Sequence, residues 1–247
     1  MNVQEDLPAT PPKLTSYDYV FVVTYARSGS TLLQSLLNSC NGVQIRGENS
    51  NALFHLYRAI SAVQTTRKFG RHPQTMARDE PWYGAGEVKP VLLEANLLNS
   101  FVRNVLSPDP ATRVTGFKEV RYNRQFIADE HFAPYMDFLL TKFPNSKIVF
   151  NSRRADDVVK SGFLAKQNPH NMRTAVAEAD KNFGAYDASS DHTIHLYYED
   201  YVADHTQIHR MLSFLNLDWS AEAIEQVFAK PLTHAKGKAH SATTVES

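Results

Sequence analysis

Residues 19–37, YVFVVTYARSGSTLLQSLL, constrain the fold more than any other part of the chain. Aromatic and β-branched residues run up to Thr24, a small hydroxyl-rich turn carrying Arg27 follows, and leucines then recur at 32, 33, 36 and 37. A strand that feeds a helix through a tight turn is the unit from which helix-covered parallel sheets are built. The same geometry aims the turn's backbone N–H groups and the helix N-terminus at one point, where an anion is stabilised. Gly29 permits close backbone approach, Ser28, Ser30 and Thr31 add hydroxyl donors, and Arg27 adds a forked cation.

The rest of the chain repeats that alternation. Strands are expected at 19–24, 114–120, 147–151 and 193–197, and helical spacing appears at 32–37, 53–60, 91–106, 134–143, 156–165 and 202–217. The order predicts an α/β fold, a three-layer parallel sheet flanked by helices with a P-loop-like nucleotide-binding turn. One domain over 1–247 is expected, with a loosely ordered N-terminus at 1–16, a mobile loop at 65–90 rich in polar residues, Gly and Pro, and a flexible tail at 235–247. Twenty-six basic residues balance twenty-six acidic ones, so an anion site has to be local and no nucleic-acid partner is expected. The single cysteine, Cys40, and the lack of zinc-ligand spacing argue against disulfides and structural metal. No apolar run is long enough to span a bilayer, and a soluble, cytoplasmic protein is expected. Oligomeric state is not legible.

Aligning Gly29 with the second glycine of G-x-x-x-x-G-K-[ST] tests the turn against nucleoside-triphosphate loops. Thr24 then stands at the first glycine and Ser30 at the phosphate-reaching lysine. The cation instead sits on the turn itself, at Arg27, which suits a shorter anion held without the usual metal clamp.

The stretch YARSGSTLLQSLL resembles the 5′-phosphosulfate loop of sulfotransferases that use 3′-phosphoadenosine 5′-phosphosulfate, with Ala26 in place of the usual proline. IVFNSRRADDVVKSGF is similar to the same family's arginine–serine pair, here Arg153 and Ser161, eight positions apart, although Arg154, Ala155 and Asp156 depart from the middle of that pattern. LYYEDYVADHTQIHRMLSFLNL resembles the family's Y-E-D-L segment, and AKGKAH weakly resembles its basic Lys-Gly segment. The resemblance implies that Arg27, Ser28, Gly29, Ser30 and Thr31 hold the 5′-phosphosulfate and that Arg153 and Ser161 hold the 3′-phosphate. It also implies Tyr198 near the adenine and Lys236 over the 3′-phosphate, adenosine 3′,5′-bisphosphate as product, and no metal requirement.

Sulfuryl transfer needs positioned donors for charge building on the leaving phosphate and a base for the acceptor. Lys118, in GFKEVRY, matches a lysine that many members place after a central strand, beside Arg27 as a charge-stabilising group. Where phenol and steroid enzymes carry a histidine two residues further on, this chain has Val120. Golgi and several bacterial members, and the tyrosyl-protein enzymes, instead carry a glutamate after the first helix, and VQIRGENS supplies Glu48 there. Glu119 and His55 are the fallback bases. Arg67, Lys68, Arg71 and Trp82 in the 65–90 loop are candidates to shape the acceptor site. The reading is an O-sulfotransferase acting on an acceptor hydroxyl, with a carbohydrate or another small alcohol favoured over lipid-linked sugar or peptide tyrosine. A nucleotide-dependent kinase and a non-catalytic nucleotide sensor are the alternatives.

Overall fold

Six of the seven residues of β1 (Asp18–Thr24) are buried, which a strand achieves only with neighbours on both edges and layers on both faces. The computed structural model, which describes residues 13–70 and 76–230, supplies all four. After β1 come α1 (Ser30–Asn38), β2 (Val43–Arg46), α2 (Ala52–Phe69), and α3 (Pro90–Phe101), which runs on into a π-helical turn at Val102–Leu106. Next are β3 (Val114–Glu119), α4 (Asp129–Lys142), β4 (Lys147–Ser152), α5 (Ala155–Val159), α6 (Pro169–Asp187) and β5 (Thr193–Tyr197). The described chain closes with α7 (Tyr198–Ala203), α8 (Thr206–Phe214) and α9 (Ala221–Ala229).

The sheet order is β2-β3-β1-β4-β5, and every pairing is parallel. Side chains alternate across β1. Tyr19, Phe21 and Val23 pack with Phe54, Leu98, Tyr135 and Phe183 on one face, whereas Val20 and Val22 pack with Leu33, Leu36, Ile208, Met211 and Ile224 on the other. The result is a three-layer α/β fold. From β1 the chain moves outward to β2 and returns through β3, then crosses to β4 and β5. That reversal leaves a crevice at the carboxyl ends of the strands, beside β1 and β4, where doubly wound sheets bind ligands.

Several elements differ from the sequence expectation. β2 is an added edge strand, too short at four residues to stand out by pattern, and it is fixed by its register with β3. The long helix α6 escapes apolar periodicity because its buried residues are few, yet its N-terminus is marked by Pro169 and by Asn168, whose side chain accepts from the amides of His170 and Asn171. The helix expected over 156–165 ends at Val159. Ser161 is extended, Gly162 takes φ 57°, and a short 3₁₀ turn, Gly162–Lys166, follows. The helix expected over 202–217 is likewise two, split where the Asp204 carboxylate accepts from the Thr206 amide at 2.9 Å. Helix α2 extends to Phe69, inside the 65–90 stretch, and the Phe69 ring stacks on Trp82 at 4.1 Å. At the N-terminus, the Leu14 amide donates to Asn99 and its carbonyl accepts from the Tyr19 hydroxyl, so the described part of 1–16 is pinned. Lys236, Arg71 and the 235–247 tail lie outside the described residues.

Candidate active site

The turn after β1 is tied down before any ligand is considered. Thr24 Oγ1 donates to the Asn151 carbonyl (2.6 Å) and lies 2.7 Å from Ser28 Oγ, while Asn151 Nδ2 donates to the Ser28 carbonyl (3.0 Å). These bonds fasten the turn to β4. Arg27 takes φ 67° and Gly29 φ 80°, so two left-handed residues make the sharp reversal into α1. Gly29 is the N-cap, and among the described residues no side chain caps the helix. The amides of Ser30 and Thr31 therefore remain as donors, while that of Leu32 donates to the Gly29 carbonyl at 2.9 Å. A Cβ at Gly29 would stand 2.1 Å from the Tyr198 ring, so glycine is required for space as well as for φ.

Two arginines converge beside this turn. Arg27 Nε donates to Ser161 Oγ (2.9 Å), leaving the serine O–H available for another acceptor. Arg153 Nη1 donates to the Arg27 carbonyl (3.1 Å), and its guanidinium lies over the Tyr198 ring at 4.5 Å. Arg153 Nε is buried without a hydrogen-bond partner among the described residues, the Glu199 carboxylate being 4.0 Å away. A buried charged donor without an acceptor is costly, and an anion placed there would relieve that cost. The arginine–serine pair comes together because the chain breaks after α5 and turns Ser161 back toward the β1 turn.

Across β1, Lys118 Nζ donates to Glu48 Oε1 at 2.7 Å, with the lysine side chain 5% exposed and the glutamate 42%. Glu48 is held there by its neighbour. Glu119, fully buried, accepts from the amides of Asn49 (3.0 Å), Asn51 (2.9 Å) and Val120 (2.9 Å) and from Arg121 Nη1 (2.9 Å). It thereby fixes the loop 47–51, in which Ser50 and Asn51 are both left-handed. With four donors on its two oxygens and no surface on the cavity, Glu119 is a clamp rather than a base. His55 is exposed on α2 and does not line the cavity either. Replacing Glu119 by Gln is expected to lower turnover by about 10- to 100-fold through a displaced Glu48, with nucleotide affinity unchanged, as read by steady-state kinetics and nucleotide titration.

A buried polar group sits behind Arg153. Tyr25 Oη accepts from the Arg153 amide (2.8 Å) and lies 3.0 Å from Asp180 Oδ1, Ser152 Oγ donates to Asp180, and His195 Nε2 is 2.7 Å from Ser152 Oγ. Burial pushes the Asp180 carboxyl up and the His195 imidazole down from their ordinary values. For His195 the unfolded chain takes up a proton below about pH 6.5 that the folded state resists, so stability is full above that pH and falls as pH drops through it. Asp180, raised by burial, acts with the opposite sign: its contribution is lost as pH rises through its folded-state value. His195→Gln is expected to flatten the loss of stability between pH 7 and pH 5, measured by denaturant midpoints.

The turn after β1, the two arginines and the Lys118–Glu48 pair line one cavity of about 750 Å³, reached by Arg27, Gly29, Ser30, Thr31, Glu48, Lys118, Arg153, Ser161 and Tyr198. Ser28 is buried beneath the turn and contributes through backbone and packing. The described residues of 65–90 do not line it. Sequence reasoning passed over Tyr25, Asp180 and His195, which lie on three different elements. Only Tyr25, directly before the turn, carried a positional hint.

The sulfotransferase family model matches residues 19–221. Among solved structures, the sulfotransferase domain from the Synechococcus PCC 7002 olefin synthase is 18% identical with a TM-score of 0.52, covering 91% of this chain and 80% of that one. The likeness is one of fold. A sulfotransferase domain from the curacin biosynthetic pathway is 17% identical (TM-score 0.48, covering 87% of this chain and 79% of that one). A mouse sulfotransferase complexed with PAP is 12% identical (TM-score 0.47, covering 92% and 71%). No curated protein sequence matches the chain.

Proposed function

The chain belongs to the sulfotransferase family, and on that premise we propose that it moves a sulfuryl group from 3′-phosphoadenosine 5′-phosphosulfate to an acceptor hydroxyl, with Glu48 as general base. The observation that carries the proposal is the convergence, in one cavity, of an uncapped helix N-terminus, two arginines and a Lys118–Glu48 pair. The amides of residues 28–31 and the hydroxyls of Ser30 and Thr31 would hold the 5′-phosphosulfate, and Arg27 would face the charge that builds as the bridging bond breaks. Arg153, with its unpartnered Nε, and the free O–H of Ser161 would take the 3′-phosphate, with Tyr198 bracing the arginine and meeting the nucleoside. Lys236, outside the described residues, stays a candidate to close over that phosphate.

Chemically, Glu48 accepts the acceptor's proton as the acceptor oxygen bonds to sulfur and the bond from sulfur to the bridging oxygen of the 5′-phosphate breaks. Adenosine 3′,5′-bisphosphate leaves. Lys118 steadies the developing charge and orients Glu48. The acceptor is drawn from carbohydrates and other small alcohols, a class that the cavity's lining narrows. Ser30 in the place of a phosphate-reaching lysine disfavours the kinase reading, and the base–cation pair disfavours a sensor. No helix among the described residues is long and apolar enough to cross a membrane. The test is a panel of acceptors incubated with the donor and read by mass spectrometry, beside titrations with adenosine 3′,5′-bisphosphate and ATP. A mass gain of one sulfuryl group and preference for the bisphosphate are expected; preference for ATP with phosphoryl transfer would overturn the proposal.

A further inference from the structure

We infer that the acceptor is an alcohol with an apolar body, alkyl or aryl, rather than a free sugar. The inference rests on the sulfuryl-transfer reading and narrows its substrate class. Two parts of the cavity lining differ in chemistry. Toward β4 and β5, Arg153, Ser161 and Tyr198 meet the turn after β1, which suits a nucleotide. A further part of the lining is apolar: Val120 and Phe126 follow β3, Leu164 follows Ser161, and Met172, Ala175 and Val176 come from α6.

Three of these come from α6 at positions i, i+3 and i+4, so they form one stripe on that helix. Leu164 and Val176 are 4% and 3% exposed and belong to the main apolar cluster, against which Met172 packs. That part of the wall is therefore continuous with the core. Several polar groups beside this wall already have one partner within the fold. Arg121 donates to Glu119 and lies over the Phe126 ring at 6.0 Å, Asn123 Oδ1 accepts from the Gln125 amide at 3.1 Å, and Lys118 donates to Glu48. Gln125 and Gln167, both exposed, stand at the mouth.

A sugar would bring several hydroxyls to this wall, and each one buried without a partner weakens binding by about tenfold. An apolar body gains instead, by about fourfold for each methylene buried. The acceptor best matched to the cavity presents one hydroxyl to Glu48 and lays its apolar remainder between β3 and α6.

The test is calorimetric titration of the protein, saturated with adenosine 3′,5′-bisphosphate, with linear primary alcohols from butanol to octanol and with methyl glucoside. Affinity is expected to rise by about fourfold per methylene until the space is filled, with no measurable glucoside binding. Ala175→Phe is expected to abolish the chain-length dependence and leave bisphosphate affinity unchanged. Met172→Gln, which fits the same space with a polar end, is expected to lower the slope and serves if the first variant does not fold. Affinity that is flat with chain length, or glucoside binding ahead of the alcohols, overturns the inference. Failure of the bisphosphate to bind counts against the functional reading alone, and the alcohol titration repeated without nucleotide still decides the chemistry of the wall.

Discussion

Glu48→Ala is expected to lower turnover by about 10²- to 10⁴-fold, the contribution of a positioned general base, with nucleotide affinity intact. Glu48 follows β2 and Arg153 follows β4, strands separated in the sheet by β3 and β1, so on the proposed reading Glu48 faces the acceptor and not the nucleotide's 3′-phosphate. The alanine variant has a second effect that has to be separated from the first. Lys118 is almost wholly buried, and Glu48 is its ion-pair partner among the described residues, so truncation leaves a buried cation uncompensated. Glu48→Gln resolves the two. The amide oxygen can still accept from Lys118 Nζ, preserving the fold, but the side chain cannot take the acceptor's proton. Equal losses in both variants, with thermal stability lowered only in the alanine variant, are expected. Turnover within twofold of the parent for Glu48→Gln would remove Glu48 as the base.

The second large effect is on binding. Arg153→Ala is expected to weaken adenosine 3′,5′-bisphosphate binding by roughly 10²-fold, the scale for truncating one partner of a buried charged hydrogen bond. The loss combines a phosphate donor with the cation that lies over Tyr198 at 4.5 Å and the brace to the Arg27 carbonyl at 3.1 Å. Arg153→Lys should recover only part of the affinity, because an ammonium cannot reproduce the planar fork that reaches the Arg27 carbonyl while covering the Tyr198 ring. The neighbouring Arg154 is exposed, and Arg154→Ala is the control expected to leave binding unchanged. An Arg153→Ala variant that binds as tightly as Arg154→Ala contradicts the assignment of the 3′-phosphate site.

Much of this architecture was legible because its signals are local. The burial of β1 follows from a run of apolar residues, the turn from Arg27 to Gly29 follows from small residues before a leucine stripe, and both reappear in the structure. The Arg153–Ser161 spacing was also visible, but not the reason it works. The pair converges because the helix stops at Val159 and Gly162 takes a left-handed conformation, which apolar periodicity does not report. Glu119 shows the limit most plainly. As a carboxylate beside Lys118 it reads as a candidate base, and only the position of two amides some seventy residues away, joined by donors from Val120 and Arg121, shows that its oxygens are consumed in holding a loop. Likewise, β2 owes its existence to its partner strand, and the Asp180–Ser152–His195 group owes its contacts to sheet order. Tertiary pairing of this kind leaves little trace in the residues taken singly.

The central claim is that one nucleotide is held at both ends in a single cleft, with its transferable group turned toward Glu48. A crystal structure of the protein with adenosine 3′,5′-bisphosphate tests it most directly. The account predicts the 5′-phosphate on the amides of residues 28–31 and the 3′-phosphate against Arg153 Nε and Ser161 Oγ of the same molecule. Contact with only one of these two groups, or a 5′-phosphate directed away from Lys118 and Glu48, would contradict it.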